Sequence, residues 1–227
     1  MREIILDTET TGLNPHEGDR IVELGCVELV NRMPTGRHFR EYINPERDVP
    51  AQATRIHGLT TEFLKDKPVF AEVVEAFLEF VGDADLVAHN AEFDMRFVNC
   101  ELENLGLEGI APTRVIDTLQ MARSKYPGAQ NSLDALCRRL GIDNSNRSLH
   151  GALLDAQLLA EVYLELTGGR QGGLGLETGR ANKRREDRDK KARPLRSFAP
   201  SESELRAHKD FLNSLKNPIW QSRAKGK

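Results

Sequence analysis

Residues 4–12 have the sequence Ile4-Ile5-Leu6-Asp7-Thr8-Glu9-Thr10-Thr11-Gly12, an apolar run followed at once by two carboxylates. The apolar residues predict a short buried strand. On an extended backbone, residues two apart point to the same face, so Asp7 and Glu9 are expected side by side at the end of that strand. Neighbouring anions repel, and partial burial raises the cost. Because hard cations such as Mg²⁺ take oxygen ligands of this kind, the stretch predicts a metal-dependent site.

The composition bounds the class of protein. The chain has 227 residues, of which 39% are hydrophobic, enough for one sizeable core or for one domain with an appendage. No apolar run approaches the length of a membrane span, and Met1-Arg2-Glu3 leads into the first strand without a signal-peptide layout. Cys26, Cys100 and Cys137 lack the spacing of a disulfide framework or a zinc site. These features predict a reduced, cytoplasmic protein.

The periodicity of apolar residues predicts an α/β fold. Further strands are expected at residues 20–30, 38–43, 85–88 and near 115–116. Helices are expected at residues 70–81, from about 91, and near 117–125, 132–140 and 149–166. Because strands come first and helices are interleaved later, the pattern indicates a mixed sheet flanked by helices.

The distribution of charge divides the chain. Residues 1–167 carry 16 Lys and Arg against 28 Asp and Glu, whereas residues 168–227 carry 16 against 7. The Gly-rich and then densely charged stretch 168–197 cannot bury a core and predicts a flexible linker. In the tail segment 198–227, Ser201-x-x-Glu204 fits a capping box that opens a short helix. We therefore predict a globular acidic domain followed by a linker and a basic tail with a function of its own.

Two later segments add candidate site residues. The segment Ala88-His89-Asn90-Ala91-Glu92-Phe93-Asp94 spans a predicted strand end and helix start, which places Asp94 in the first helical turn. In His150-Gly151-Ala152-Leu153-Leu154-Asp155, the outer two residues would lie ~140° apart around one helix. We therefore expect His150 on a mobile turn at the helix entry and Asp155 inside the helix, with Gly151 permitting the turn. His57 is expected in a loop.

These motifs resemble those of the DEDDh-type 3′–5′ exonucleases of the DnaQ-like superfamily. More narrowly, they are similar to the proofreading epsilon subunits of bacterial DNA polymerase III. The matching segments are Asp7-Thr8-Glu9-Thr10-Thr11-Gly12, Ile56-His57-Gly58, His89-Asn90-Ala91-x-Phe93-Asp94, Asn131-Ser132-Leu133-Asp134 and Asn144 to Ala156. The resemblance covers residues 1–167, extends weakly into the tail, and implies a ribonuclease-H-like fold.

The resemblance also implies a chemistry, namely phosphodiester hydrolysis with two divalent metal ions, Mg²⁺ or Mn²⁺. The implied metal ligands are Asp7, Glu9, Asp94 and Asp155, and the implied general base is His150. Two ions ~3.5–4 Å apart can activate hydroxide and relieve charge on the leaving oxygen. Imidazole suits the base because it titrates near neutral pH. The candidates for holding the terminal nucleotide are Asp7, Thr8, Glu9, Thr10, Leu13, Gln52, His57, Phe93 and Asp155.

The tail suggests partners by resemblance. Residues 171–176 are similar to the peptides that bind the bacterial sliding clamp, with Gln171, Leu174 and Leu176 as contacts. Because the usual final aromatic residue is missing, only weak binding is expected. The segment Phe198–Trp220 resembles the tail that anchors epsilon subunits to the polymerase alpha subunit, and Trp220 suits an interface anchor. Whether a small third core subunit binds is left open.

The predicted function is proofreading, the removal of mismatched 3′ nucleotides from single-stranded or frayed DNA ends as nucleoside 5′-monophosphates. An unpaired end costs less to feed into a site than a paired one. Two alternatives stay open. A free-standing RNA-trimming exonuclease similar to ribonuclease T or an oligoribonuclease would share the chemistry, but the long tail and the segment from Asn144 to Ala156 argue against it. A chiefly structural accessory subunit of the replicase would not need the intact site.

Overall fold

The computed structural model describes residues 1–145, 147, 149–168 and 199–215. The described residues form two units: residues up to 168 hold a five-stranded sheet with its helices, and residues 199–215 hold a single helix. The predicted linker, the segment 171–176 with Gln171, Leu174 and Leu176, and Trp220 lie outside the described residues. None of the described helices is long and apolar enough to cross a membrane.

The sheet is mixed, as the sequence predicted. Its strands are β1 (Arg2–Thr10), β2 (Ile21–Val30), β3 (Met33–Tyr42), β4 (Asp85–Ala88) and β5 (Val115–Asp117). In space they follow the order β3-β2-β1-β4-β5. The pairs β1–β2 and β2–β3 are antiparallel, whereas β1–β4 and β4–β5 are parallel. The carboxyl ends of β1, β4 and β5 therefore meet at one edge, where helices following them can bring side chains together.

Seven helices accompany the sheet in the described part of the first unit. They are α1 (Ala51–His57), α2 (Thr61–Leu64), α3 (Phe70–Val81), α4 (Ala91–Asn104), α5 (Thr118–Lys125), α6 (Leu133–Leu140) and α7 (Ala152–Leu166). The predicted helices correspond to α3 through α7, and the main difference is that α7 begins after residue 150. In the second unit, α8 (Glu202–Ser214) begins with the predicted capping box, in which Ser201 Oγ accepts the Glu204 N–H and Glu204 accepts the Ser201 N–H.

Strand β1 is buried on both faces, which explains its unbroken apolar run. Ile4 and Leu6 point to one face, where they pack with Phe77 of α3. Ile5 points to the other face and belongs to the cluster that includes Leu159 of α7. Because alternate residues of a strand face opposite ways, both layers of helices need apolar residues from the same strand.

The two carboxylates of the opening stretch lie in the last four residues of β1, which extends beyond the apolar run that predicted it. Pairing with β2 continues from Leu6 through Glu9, opposite Glu23, before it shifts at Thr10. Backbone hydrogen bonds to a neighbour, which are independent of side-chain hydrophobicity, decide where a strand ends. On the β4 side, pairing covers only residues 3–5. The β1 edge that carries the carboxylates is therefore open toward α4.

The prediction of a loop around His57 was wrong. His57 is the last residue of α1, and Gly58 ends the helix with a φ of 76° while its N–H donates to the Thr54 carbonyl. The helix buries Ala53 in a small cluster with Leu64 of α2. Helices of one or two turns carry too few residues for a clear apolar period, and tertiary packing supplies most of their stability.

Candidate active site

Five carboxylates line one cleft of about 270 Å³ at the carboxyl edge of the parallel strands: the four predicted metal ligands and Asp134. Asp7 and Glu9 come from β1, Asp94 from the first turn of α4, and Asp155 from α7. The residues Glu9, Asp94 and Asp155 are 8%, 4% and 3% exposed, so these groups open to the cleft rather than to bulk water. Thr8, Phe93 and His150 also line the cleft. Fold topology thus gathers seven of the residues that the sequence analysis proposed.

Asp94 is held directly against β1. Thr8 donates both its backbone N–H and its hydroxyl to Asp94 Oδ1, at 3.1 Å and 2.7 Å. The helix that carries Asp94 begins after Asn90, whose φ of 66° is left-handed, a conformation that asparagine tolerates better than most residues. The turn brings the positive end of α4 to the cleft, where it favours nearby anions.

The start of α7 is positioned by two residues of β2 that the sequence analysis did not select. A Cβ atom at Gly25 would lie 2.2 Å from the Ala152 carbonyl carbon, so only glycine permits the helix this close to the sheet. Glu23 Oε2 accepts the Ala152 N–H at 3.2 Å, while Arg40 Nε binds Glu23 Oε1 at 2.8 Å. Glu23 therefore caps a helix whose N-cap glycine has no side chain to do so. The available signal was a charged residue inside an apolar strand.

His150 lies at the entry to α7, where the sequence analysis expected it. Its backbone N–H donates to the Ile56 carbonyl at 3.1 Å, which ties this entry to α1. Its side chain is 47% exposed, and Nδ1 lies 3.3 Å from Asp155 Oδ2. Glu9, His150 and Asp155 each offer one ligand atom, and these atoms lie within 4.8 Å of one another. The imidazole thus sits next to two of the carboxylates while remaining accessible.

Arg147 is the main site residue that the sequence analysis missed. Its Nε and Nη2 bind Asp155 Oδ1 and Oδ2 at 2.5 Å and 2.6 Å, and its Nη1 binds Asp134 Oδ1 at 2.7 Å. Its Nη2 also lies 2.8 Å from His150 Nδ1. The side chain is only 7% exposed. Arg147 lies outside any regular element, so no helical or strand spacing relates it to Asp155.

Three of the carboxyls have raised pKa values. Burial, followed by the charges of Asp94 and Glu9, raises the pKa of Asp7 well above its ordinary value. Burial and then the charge of Asp155 raise the pKa of Glu9 to about 8. Burial raises the pKa of Asp94 to about 7, although hydrogen bonds from Thr8 oppose the shift. The cluster therefore holds protons that free carboxylates would release, as expected of anions that lack a counter-charge.

Asp155 differs from the other three because it has a cationic partner. Burial alone would raise its pKa, but the hydrogen bonds and the positive charge of Arg147 outweigh burial and lower it. Burial would likewise lower the pKa of Arg147, but its bonds to Asp155 and Asp134 raise it instead. Asp155 and Arg147 are therefore an ion pair at neutral pH.

Four other predicted residues do not line the cleft. Leu13 is 76% exposed, Gln52 is exposed on α1, and the Thr10 hydroxyl donates to the Gly12 carbonyl. His57 is buried, and its Nδ1 accepts the Leu59 N–H at 3.1 Å, so a neutral ring carries its proton on Nε2. Contacts of Thr10, Leu13, Gln52 and His57 with a nucleotide stay predictions.

The raised pKa of Glu9 predicts a pH-dependent stability. Between about pH 5 and about pH 8, the folded protein holds a proton on Glu9 that the unfolded chain has released, so the free energy of unfolding falls as pH rises. In EDTA, the thermal midpoint of the wild type should therefore fall relative to that of Glu9→Gln across this range. Calorimetry of both variants measures this difference.

The comparison with Glu9→Gln also removes the contribution of buried histidines, whose effect on stability changes with pH in the opposite direction. Burial lowers the pKa values of His57 and His89, which makes stability rise with pH at the acidic end of this range. Both variants share these histidines, so their contribution cancels in the difference. A difference in midpoint that stays constant with pH would contradict the raised pKa of Glu9.

Comparison with known proteins agrees with this geometry. An exonuclease family model, RNase_T, matches residues 4–163. The DNA polymerase III subunit epsilon of Rickettsia felis is 50% identical over 228 residues, which cover 95% of this chain and 97% of that protein. The Pasteurella multocida protein of the same name is 44% identical, with coverage of 98% and 94%. The Salmonella typhimurium protein of that name is 48% identical, with coverage of 93% and 92%.

Solved structures agree on the fold. Exonuclease X in complex with 5′ overhanging duplex DNA is 28% identical and superimposes with a TM-score of 0.58 over 73% of this chain and 90% of that one. The nuclease domain of 3′hExo, a DEDDh family member bound to rAMP, is 20% identical, with a TM-score of 0.63 over 73% of this chain and 91% of that one. At 20% identity, the second likeness supports the fold alone.

The fold and the family match together define the class of this protein, which is an exonuclease of ribonuclease-H-like fold. Exonucleases of this class require divalent metal ions, and the carboxylate donors of the cleft are consistent with that requirement. Within that class, the chain belongs to the DNA polymerase III subunit epsilon family. The donors present fit a hard divalent metal, because the cleft presents carboxylate oxygens whose pKa values are raised by burial and by the charges of neighbouring carboxylates, and a cation would offset both effects.

Proposed function

We propose that this chain is the proofreading 3′–5′ exonuclease subunit of the replicative DNA polymerase III. It removes mismatched 3′ nucleotides from single-stranded or frayed DNA ends as nucleoside 5′-monophosphates. The observation that carries the proposal is the cluster of four carboxylates beside His150. Its support is the similarity to epsilon subunits, which extends over almost the whole chain.

The carboxylates are proposed to hold two divalent ions, Mg²⁺ or Mn²⁺. When bound, such ions stabilise charge on the attacking and leaving oxygens of a phosphodiester. Asp7 lies among the other carboxylates and is suited to serve both ions. Glu9 and Asp155, which approach His150, are assigned to the ion nearer the attacking water, and Asp94 to the other. Hydrogen bonds from Thr8 fix the orientation of Asp94 for this role.

His150 is proposed to act as the general base. Its ring is half-exposed at the cleft, so it can reach a water molecule that solvent supplies. The neighbouring Asp155 carboxylate stabilises the imidazolium that forms when the ring accepts a proton. Its backbone is fixed through Ile56, and the helix that follows it is capped by Glu23. These contacts position the base without occupying its side chain.

The terminal nucleotide is proposed to lie against Phe93. This side chain lines the cleft while packing 5.0 Å from the Phe97 ring, so it offers an apolar surface held by the core. Base–aromatic stacking tolerates any base, as proofreading requires. A second cleft of about 640 Å³ shares His89, Asn90 and Ser132 with the first and suits the preceding nucleotides. We assign further contacts to Thr8, Thr10, Leu13, Gln52 and His57.

The tail is proposed to provide the protein contacts. The linker 168–197 connects the exonuclease domain 1–167 to the segment 198–227, which binds the polymerase alpha subunit. In the described part of this segment, Leu205 and Phe211 on α8 are 53% and 58% exposed, as expected of residues that await a partner. Residues 171–176 bind the sliding clamp weakly. We place the protein in the cytoplasm, where the replicase works.

Cleavage of matched substrates tests the proposal. With Mg²⁺ or Mn²⁺, the full chain should release nucleoside 5′-monophosphates several times faster from a mismatched DNA 3′ end than from the paired end of the same duplex, because unpairing is already done. Short RNA of the same sequence should be a poorer substrate. Faster cleavage of RNA than of single-stranded DNA would favour the RNA-trimming alternative, and no metal-dependent cleavage of either would refute the enzymatic role.

A further inference from the structure

The guanidinium of Arg147 occupies the same cleft as the proposed metal ligands. It binds both oxygens of Asp155, at 2.5 Å and 2.6 Å, in the two-pronged geometry that makes arginine–carboxylate pairs strong. A carboxylate whose two oxygens are taken by arginine has lost its best positions for a metal. Arg147 and a divalent ion are therefore alternatives at Asp155.

The same guanidinium also engages the proposed base. A guanidinium has only donors, so in its 2.8 Å contact with Arg147 Nη2 the Nδ1 atom of His150 must be the acceptor. A neutral imidazole has one acceptor nitrogen, which places the proton of this ring on Nε2. While Arg147 donates to Nδ1, that nitrogen cannot take a proton from water. One arginine thus restrains both a proposed metal ligand and the proposed base.

Asp134 gives Arg147 a second place to bind. Asp134 Oδ1 already accepts from Arg147 Nη1 at 2.7 Å and from Asn144 Nδ2 at 3.0 Å, and its side chain is 43% exposed. When the guanidinium leaves Asp155, it therefore keeps a carboxylate partner. This matters because a buried arginine left without a carboxylate partner would strongly destabilise the fold.

We propose that Arg147 is a positioning residue that competes with the divalent metal for Asp155. Without metal, it holds Asp155 and His150 in place and supplies the missing positive charge. As Asp155 takes metal, Arg147 shifts onto Asp134 and releases His150 Nδ1. The inference rests on the proposed metal chemistry and adds to it a residue that sets the affinity for the metal.

Mn²⁺ binding to the full chain without substrate tests this competition. Arg147→Met should bind Mn²⁺ about tenfold more tightly than the wild type, because the ion no longer has to displace a hydrogen-bonded charged partner from Asp155, and a hydrogen bond to a charged group is worth about a factor of ten. Its thermal midpoint in EDTA should fall, because Asp155 has lost its partner. Arg147→Lys keeps the charge but not the two-pronged geometry and should lie between the two. Arg138→Met, at an exposed position on α6, is the matched control and should match the wild type.

The variant Asp134→Asn is expected to change the affinity for Mn²⁺ in the opposite direction. It removes the place to which Arg147 shifts, so it should weaken Mn²⁺ binding. Because loss of a nearby negative charge also weakens binding by itself, the double variant Arg147→Met/Asp134→Asn measures that general effect. The competition requires Asp134→Asn to weaken binding more in the wild type than in the Arg147→Met background.

The outcomes of these binding measurements distinguish failure of the Arg147 competition from failure of the proposed metal chemistry. Unchanged or weaker Mn²⁺ binding by Arg147→Met, or equal effects of Asp134→Asn in both backgrounds, would overturn the competition and leave the proposed function intact. Absence of Mn²⁺ binding by the wild type would instead refute the metal chemistry itself. If Arg147→Met does not fold, Arg147→Lys and Asp134→Asn decide: the first must tighten and the second weaken Mn²⁺ binding.

Discussion

A chain carrying Asp7→Asn and Glu9→Gln is expected to lose hydrolysis of DNA 3′ ends by at least about 10³-fold, since metal-assisted charge stabilisation is worth several kcal/mol. The same chain should melt at a higher temperature than the wild type in EDTA. Burial raises the pKa values of both residues, so their carboxylates destabilise the metal-free fold near neutral pH. Single-turnover cleavage and calorimetry measure the two effects.

Lower cleavage activity together with a higher thermal midpoint would show that the substitutions remove the site without disrupting the fold. Glu75→Gln with Glu79→Gln is the matched control, because it removes two carboxylates from the exposed face of α3. That control should keep full activity. If the Asp7→Asn, Glu9→Gln chain retained near wild-type cleavage, the assignment of the site would be wrong, and a lower midpoint in EDTA would contradict the electrostatic account.

A chain ending at residue 167 is expected to hydrolyse short single-stranded DNA at nearly the wild-type rate but not to bind the polymerase alpha subunit. All residues lining the carboxylate cleft lie before residue 156, and so do the residues that hold them. Tethering through a tail raises the local concentration of primer ends, an effect worth about 10²-fold or more. Proofreading in the presence of polymerase should therefore fall by a similar factor.

The full chain with Trp220→Ala is the finer test of the tail. It should weaken binding to the alpha subunit without changing cleavage of short DNA, since interface aromatics contribute much of the binding free energy. Surface plasmon resonance with immobilised alpha subunit measures binding for both chains. Undiminished binding by the truncated chain would place the interface in the exonuclease domain instead.

Much of the fold followed from local patterns. Residues 70–81 and the segment beginning at Ala91 form helices where the apolar spacing and helix-start signals placed them. The order of strands and helices was enough to indicate the mixed sheet. The short helix α1, which ends at His57, could not be predicted, because it is too short for a clear apolar period and its buried cluster includes Val22 from the distant strand β2. The true end of β1 likewise depended on pairing with β2.

The sequence alone was enough to select the residues that we propose carry the chemistry. The carboxylates Asp7, Glu9, Asp94 and Asp155 and the imidazole of His150 stand next to recognisable strand ends and helix starts. Tertiary structure alone decided how they are held. Glu23 caps a helix that begins 129 residues later, Gly25 admits that helix to the sheet, and Arg147 joins Asp155 to His150. Periodicity reports only on neighbours along the chain, whereas these contacts exist only once distant elements have packed.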